Sequence, residues 1–162
     1  MAIESGKERC MNVLKGALAG AIGGVVGGAV KLGCEAIVPP RPPGREPPPG
    51  ILAANVLRGL TGRELSKDER ATAAMGAHWL FSFVSGALHG ALVESQPALE
   101  DSQGIPLGLA VWVSMHEILL PLAHATPPLK ELPISEQVNE CITHCIFGFT
   151  VERTRRILRP LF

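Results

Sequence analysis

The sequence predicts an all-α fold, a small bundle of four transmembrane helices that makes one membrane domain of residues 1–162, and three observations carry this. Charge is segregated: only 19% of the residues are charged, and long stretches carry none. The chain has 18 Gly, 14 Pro, two Trp, five Phe and no Tyr, which would build a poor aqueous core because Gly and Pro bring little side-chain area to bury. Third, the few ionisable residues inside the apolar stretches recur at helical spacing. A mean hydropathy of +0.24 then averages very apolar segments with polar loops. A soluble bundle of unusually apolar helices is the competing reading. Fifteen Lys and Arg balance 15 Asp and Glu, and the missing basic excess argues against nucleic acid as a partner.

The first span, about residues 14–38, is charge-free from Gly16 to Val30 and continues through Lys31 and Glu35. The 23 positions from Gly16 to Val38 make roughly 34 Å of helix, enough to cross a bilayer core of about 30 Å. Lys7, Arg9 and Lys15 precede it as in a secretory signal, but Glu4 and Glu8 interrupt them, and the apolar run exceeds the roughly 7–15 residues of a signal. An uncleaved span is expected. Residues 39–50 form a connector with seven of the 14 prolines, which ends the helix and favours a stiff polyproline spacer; docking into an aromatic groove is the alternative. Residues 51–60 read as a short amphipathic helix lying in the membrane interface.

Ser66 and Glu69 have capping-box spacing, so a helix should start near Lys67 and carry the second span, about 71–94. That span has no formal charge from Ala71 to Val93 and is closed by Glu94. The third, about 105–125, is broken by His116, Glu117 and His124 and ends before Pro127 and Pro128. The fourth, about 135–155, has Ser135 as N-cap and carries Glu136, Glu140, His144 and Glu152. In each half a helix, a diproline turn and a return helix end in a glutamate, which a duplicated hairpin in parallel relation would explain. If the termini share a side, seven basic residues lie there and seven on the other. The cluster from Arg153 tips the reading toward cytoplasmic termini.

Gly16, Gly20, Gly24 and Gly28 follow each other at i+4 steps, and the second span repeats the spacing with Ser82, Gly86 and Gly90. In lipid such flat faces let backbones approach and gain dispersion contacts. Packing within the chain is the preferred reading, and a homo-oligomer through the first helix is the other. A polar stripe of His78, Ser82, Gly86, Gly90 and Glu94 on the second span and one of Glu136, Glu140, His144, Gly148 and Glu152 on the fourth should turn inward, because a charge facing lipid is costly. Lys31, Glu35, His78, His116, Glu117, Glu140 and His144 therefore form the candidate polar core.

Three explanations fit that core. Histidines and glutamates join helices structurally, with Glu94 and Glu152 snorkelling at the edges; or they exchange protons or ions, as imidazole titrates near neutrality; or they hold a metal or haem. No cofactor is expected outright. HxxxH is absent, and Glu140 and His144 are spaced i,i+4 rather than the i,i+3 of carboxylate bundles. Cys10 and Cys34 are isolated and Cys141 and Cys145 lack CxxC spacing, so neither a disulfide scaffold nor a four-Cys zinc site is indicated. No nucleophile elbow, phosphate loop or dinucleotide fingerprint is present, so the chain is read as non-enzymatic.

With those residues in place, the chain resembles the YagU-like bacterial inner-membrane proteins, a family of uncharacterised function. The resemblance runs from about Ala19 to Arg156. Its blocks are Val30 to Glu35 leading to Pro39–Pro43, then Ala77, His78, Phe81, Ser82 and Glu94, then His116 with Pro121 and Thr126–Pro128. Leu132, Pro133, Glu136, Val138, Glu140, His144 and Glu152 before Arg155 and Arg156 complete it. The chain departs in a shorter first connection, fewer aromatics in the fourth span, and the additional His89 and His124. The resemblance implies an integral multi-pass inner-membrane protein with the bilayer as its surroundings and supports the fourth span, but it brings no reaction. A part in proton or acid-stress physiology is the expected role.

Overall fold

A computed structural model describes residues 2–42 and 44–162, with the side chains of residues 2–7 and 129 excepted. Pro43 of the connector and the Lys7 side chain of the charge balance thus lie outside the described residues. Every regular element described is helical: α1 (Ala2–Ile37), α2 (Pro48–Thr61), α3 (Lys67–Ser95), the single turn α4 (Ala98–Asp101), α5 (Ile105–Trp112), a π-helical segment (Val113–Leu119), α6 (Leu120–Leu122) and α7 (Ile134–Leu158). Two are long and apolar enough to cross a membrane, Glu8–Ile37 and the continuous run Ile105–Leu122. The helices of the expected second and fourth spans, α3 and α7, have the length but do not meet that test. From Ala71 to Val93 α3 carries no formal charge, yet His78, His89, Ser82 and Ser85 are polar.

The starts and stops follow local chemistry. Pro48 and Pro49 open α2, where a missing amide proton costs nothing. Gly62, at φ 71°, closes it through a bond from its amide to the Arg58 carbonyl. At α3 the capping box is complete: Ser66 Oγ accepts from the Glu69 amide at 3.3 Å, and the Ser66 amide donates to Glu69 Oε2 at 2.9 Å. The Ser66 amide and hydroxyl hold the Glu69 carboxyl below its ordinary 4.5. Its contribution to the helix start is therefore complete above 4.5 and fades as pH falls through the lowered value. Ser135 is not the cap of α7. The helix begins at Ile134 after Pro133, whose carbonyl accepts from the amides of Glu136 and Gln137.

The π-segment has a local cause. Pro121 cannot donate to the carbonyl four residues back, and its ring crowds that carbonyl. The chain widens instead, and the Leu120 amide reaches the Met115 carbonyl five residues back.

Glycine contacts set the arrangement of the long helices. Gly16, Gly20 and Gly24 of α1 meet Gly90, Gly86 and Ser82 of α3, so α1 and α3 are antiparallel. A Cβ on Gly20 would lie 2.2 Å from the Gly86 carbonyl oxygen, and one on Gly24 2.0 Å from that of Ser82. Gly28 meets Ser82 and His78 on the same face. One strip further round, Gly23 and Gly27 lie against Val151 and Phe147, placing α7 antiparallel to α1. Gly104 and Gly108 approach Gly148 and His144 in turn, which sets α5 against α7. The order across the bundle is α3, α1, α7, α5, with directions alternating, and Arg159 reaches Asn12 where the two ends of the chain meet. The glycine face of α1 is thus filled by α3 of the same chain.

Candidate functional site

At the end of the bundle away from the termini, four elements bring charge together. Lys31 and Glu35, one turn apart on α1, form an ion pair. Facing them on α7 are Glu136, Glu140 and His144, all buried. The π-segment contributes His116, and the connector contributes Arg41 and Arg45. Arg41 binds Glu140 Oε1, and Arg45 Nη1 reaches the two Glu136 oxygens at 2.9 and 2.8 Å. Asn139 donates to the Val38 carbonyl at 3.1 Å and fastens the start of the connector to α7. The proline-rich run is thus neither a free spacer nor a free ligand. It folds back over the bundle as a strap, and its two arginines join the site. Neither arginine belongs to the core expected from the sequence, because nothing in a proline-rich loop says where it returns.

Glu140 is the centre. Its Oε2 has no hydrogen bond, yet Lys31 Nζ, His116 Nε2 and His144 Nδ1 stand 3.5, 3.6 and 3.7 Å away. His144 Nδ1 donates to the Glu140 carbonyl at 2.7 Å, which places a proton on Nδ1. The rings of His116 and His144 meet edge to face, with centroids 5.0 Å apart. His78 is held separately, its Nε2 donating to the Gly28 carbonyl at 3.1 Å. A cavity of about 360 Å³ borders Lys31, His78, His116 and His144. Beyond His116 and Arg41 a smaller one of about 240 Å³ is lined by Glu117, Glu136 and Glu140. Of the seven expected core residues, Lys31, Glu35, His116, Glu140 and His144 converge. His78 shares only the larger cavity, and Glu117 faces the smaller one with no ion pair among the described residues.

A second polar cluster closes the opposite end. Glu152 is 0% exposed, and its oxygens accept from His89 Nε2 at 2.8 Å, from Arg155 at 2.9 Å through two nitrogens, and from Arg156 Nε at 2.7 Å. Arg155 continues to Glu100, and Arg159 binds Glu94. Glu152 and Glu94 therefore do not snorkel. The spacing of Glu152 to Arg155 and Arg156 was readable as i,i+3 and i,i+4 pairs; its meeting with His89 on α3 was not.

The metal explanation meets a donor set that fits only in part. Ligand atoms of His116, Glu140 and His144 lie within 4.8 Å of one another. Arg41 and Lys31 already neutralise Glu140, and a cation would have to displace them.

An all-helical bundle with large apolar side chains on its outside is consistent with the class of membrane protein that the sequence resemblance implies. The chain belongs to the family of proteins of unknown function DUF1440, whose profile matches residues 25–153. Among curated proteins it is similar to the inner membrane protein YagU of Escherichia coli K12, 34% identical over 82 residues. That stretch covers 51% of this chain and 40% of the relative, well under two thirds of its length. No solved structure matches.

Proposed function

We propose that the chain is a four-span protein of the bacterial inner membrane, with α1, α3, the run α5 to α6, and α7 crossing the bilayer, and that it moves protons or ions through the Glu140 site. The observation that carries the reading is the Glu140 Oε2 without a hydrogen bond, ringed by a lysine and two imidazoles beside a cavity. Isolated buried carboxylate oxygens are expensive unless something binds them. Support for the membrane comes from the relative's name and from large apolar side chains on the outside of three long helices. Val25, Leu80, Leu88 and Ile142 are 42%, 60%, 60% and 52% exposed, and exposed apolar faces of this kind mark contact with a membrane or a partner when they are contiguous. The role is non-enzymatic, and acid-stress tolerance is the physiology it would serve.

In liposomes with an imposed pH gradient the purified protein should accelerate its decay, and Glu140→Gln and His144→Ala should each reduce that rate at least tenfold. Equal rates for both variants and the parent would reject the reading. The His116, Glu140 and His144 grouping supports a metal carrier as a second reading. Stoichiometric metal in the purified protein, lost in His116→Ala, would favour it over proton movement.

A further inference from the structure

The two cavities beside the Glu140 site have a common wall, since Arg41 and His116 line both. The larger, about 360 Å³, extends along α3 past His78 to Ser85 and is bordered by Phe147 of α7. The smaller, about 240 Å³, lies against the connector and is lined by Glu140 and Glu117. His116 is set in the helical run, whereas Arg41 reaches the wall on a long side chain with many rotamers. The chain around Arg41 is fixed: Asn139 donates to the Val38 carbonyl at 3.1 Å on one side, and Arg45 is bound to both Glu136 oxygens on the other. Any opening therefore belongs to the side chain and not to the connector.

The carboxylates of the smaller cavity are unequally supplied. Glu140 has the Arg41 guanidinium on Oε1 and Lys31 Nζ 3.5 Å from Oε2. Arg45 serves Glu136. Glu117 has no ion pair among the described residues, although it is half-buried and lines the same cavity. A carboxylate withdrawn from water without a cation is costly. Turning the guanidinium from Glu140 to Glu117 replaces one arginine–carboxylate pair by another, and Glu140 keeps Lys31. Release of Arg41 with no second carboxylate in reach would instead leave a partly buried cation unpaired, which is strongly unfavourable.

We propose that Arg41 is a gate between the two cavities, closed when its guanidinium holds Glu140 and open when it turns to Glu117. Opening joins the cavities past His116 and frees Glu140 Oε1 for a proton or cation, whose charge replaces that of the guanidinium. The inference rests on the reading of Glu140 as a site of proton or ion movement, and it supplies the regulation of that site.

The test is the rate at which dicyclohexylcarbodiimide, an apolar carboxyl reagent, modifies Glu140 in the full chain in detergent micelles, located by peptide fragmentation in a mass spectrometer. Arg41→Ala should speed the modification about tenfold, and Glu117→Gln should slow it about threefold because the open position is lost. In the double variant the Glu117→Gln effect should vanish; a direct influence of one carboxylate on the other would persist. A purely structural role for Arg41 predicts no effect of Glu117→Gln. A rate equal to the parent's in either single variant, or a Glu117→Gln effect that survives in the double variant, overturns the gate. If Arg41→Ala does not fold, Glu117→Gln, which has no described ion pair to lose, still decides by its own rate. The expected modification rates in a protein that leaves the decay of a pH gradient unchanged would reject proton movement and keep the gate. Accelerated decay with modification insensitive to both variants would reject the gate alone.

Discussion

Glu152 and Arg155 are 0% and 1% exposed, and two hydrogen bonds join them inside an apolar bundle. Removing either leaves the other buried with its remaining partners, His89 and Arg156 for Glu152 and Glu100 for Arg155, and without its bidentate one. Arg155→Ala or Glu152→Ala should therefore cost about 3–5 kcal/mol, the usual range for breaking a buried pair. The exposed pair Arg63 and Glu69 is the control, and Arg63→Ala should have a far smaller effect, because solvent screens an exposed pair. Unfolding in mixed micelles by a denaturing detergent measures both. Similar small losses for all three variants would show that the terminal cluster is not structural. At this scale the sequence was informative about kind and weak about partner. The α7 stripe of Glu136, Glu140, His144 and Glu152 is readable from i+4 spacing. That Glu140 binds Arg41, 99 positions earlier, is not, because a salt bridge between distant elements has no local signature.

The elements divide in the same manner. Four glycines at i+4 steps on α1 announce a close contact, and the structure supplies its counterpart, Gly86 and Gly90 of α3. Gly20→Ala and Gly86→Ala should destabilise the bundle strongly, since the new Cβ meets a backbone oxygen at 2.2 Å in each case and backbone cannot swing aside. Gly33 and Gly76, with nothing within 4 Å of an added Cβ, are the contrast. Alanine there should be neutral or stabilise by up to about 1 kcal/mol, through helix propensity alone. The same detergent unfolding separates the pairs, and indistinguishable effects would refute the packing account. The capping box of α3 was legible because its two partners are three residues apart. The Ser135 cap failed because Pro133 had already set the helix start. The π-segment escaped notice because Pro121 acts one turn before itself, on residues whose own pattern is ordinary.

For the whole molecule, alternating helix directions place polar groups at both ends and apolar surface between. Arg159 meets Asn12 at one end, and the connector straps the Glu140 cluster at the other. In the proposed membrane setting, reporter fusions at the two termini should report one compartment, the cytoplasm, and a reporter within residues 39–50 the opposite one. Termini on opposite sides would break the four-span arrangement. By itself the sequence determined helix class, the glycine face and the inward stripes, because each is a periodicity within one segment, and a helix displays its own repeat whatever it packs against. Only the tertiary structure decided that α1 sits between α3 and α7, that the proline run returns to close the site, and that Glu140 Oε2 is ringed but unbonded. Those depend on where one segment meets another, and burial makes that meeting costly to get wrong without writing it into either segment alone.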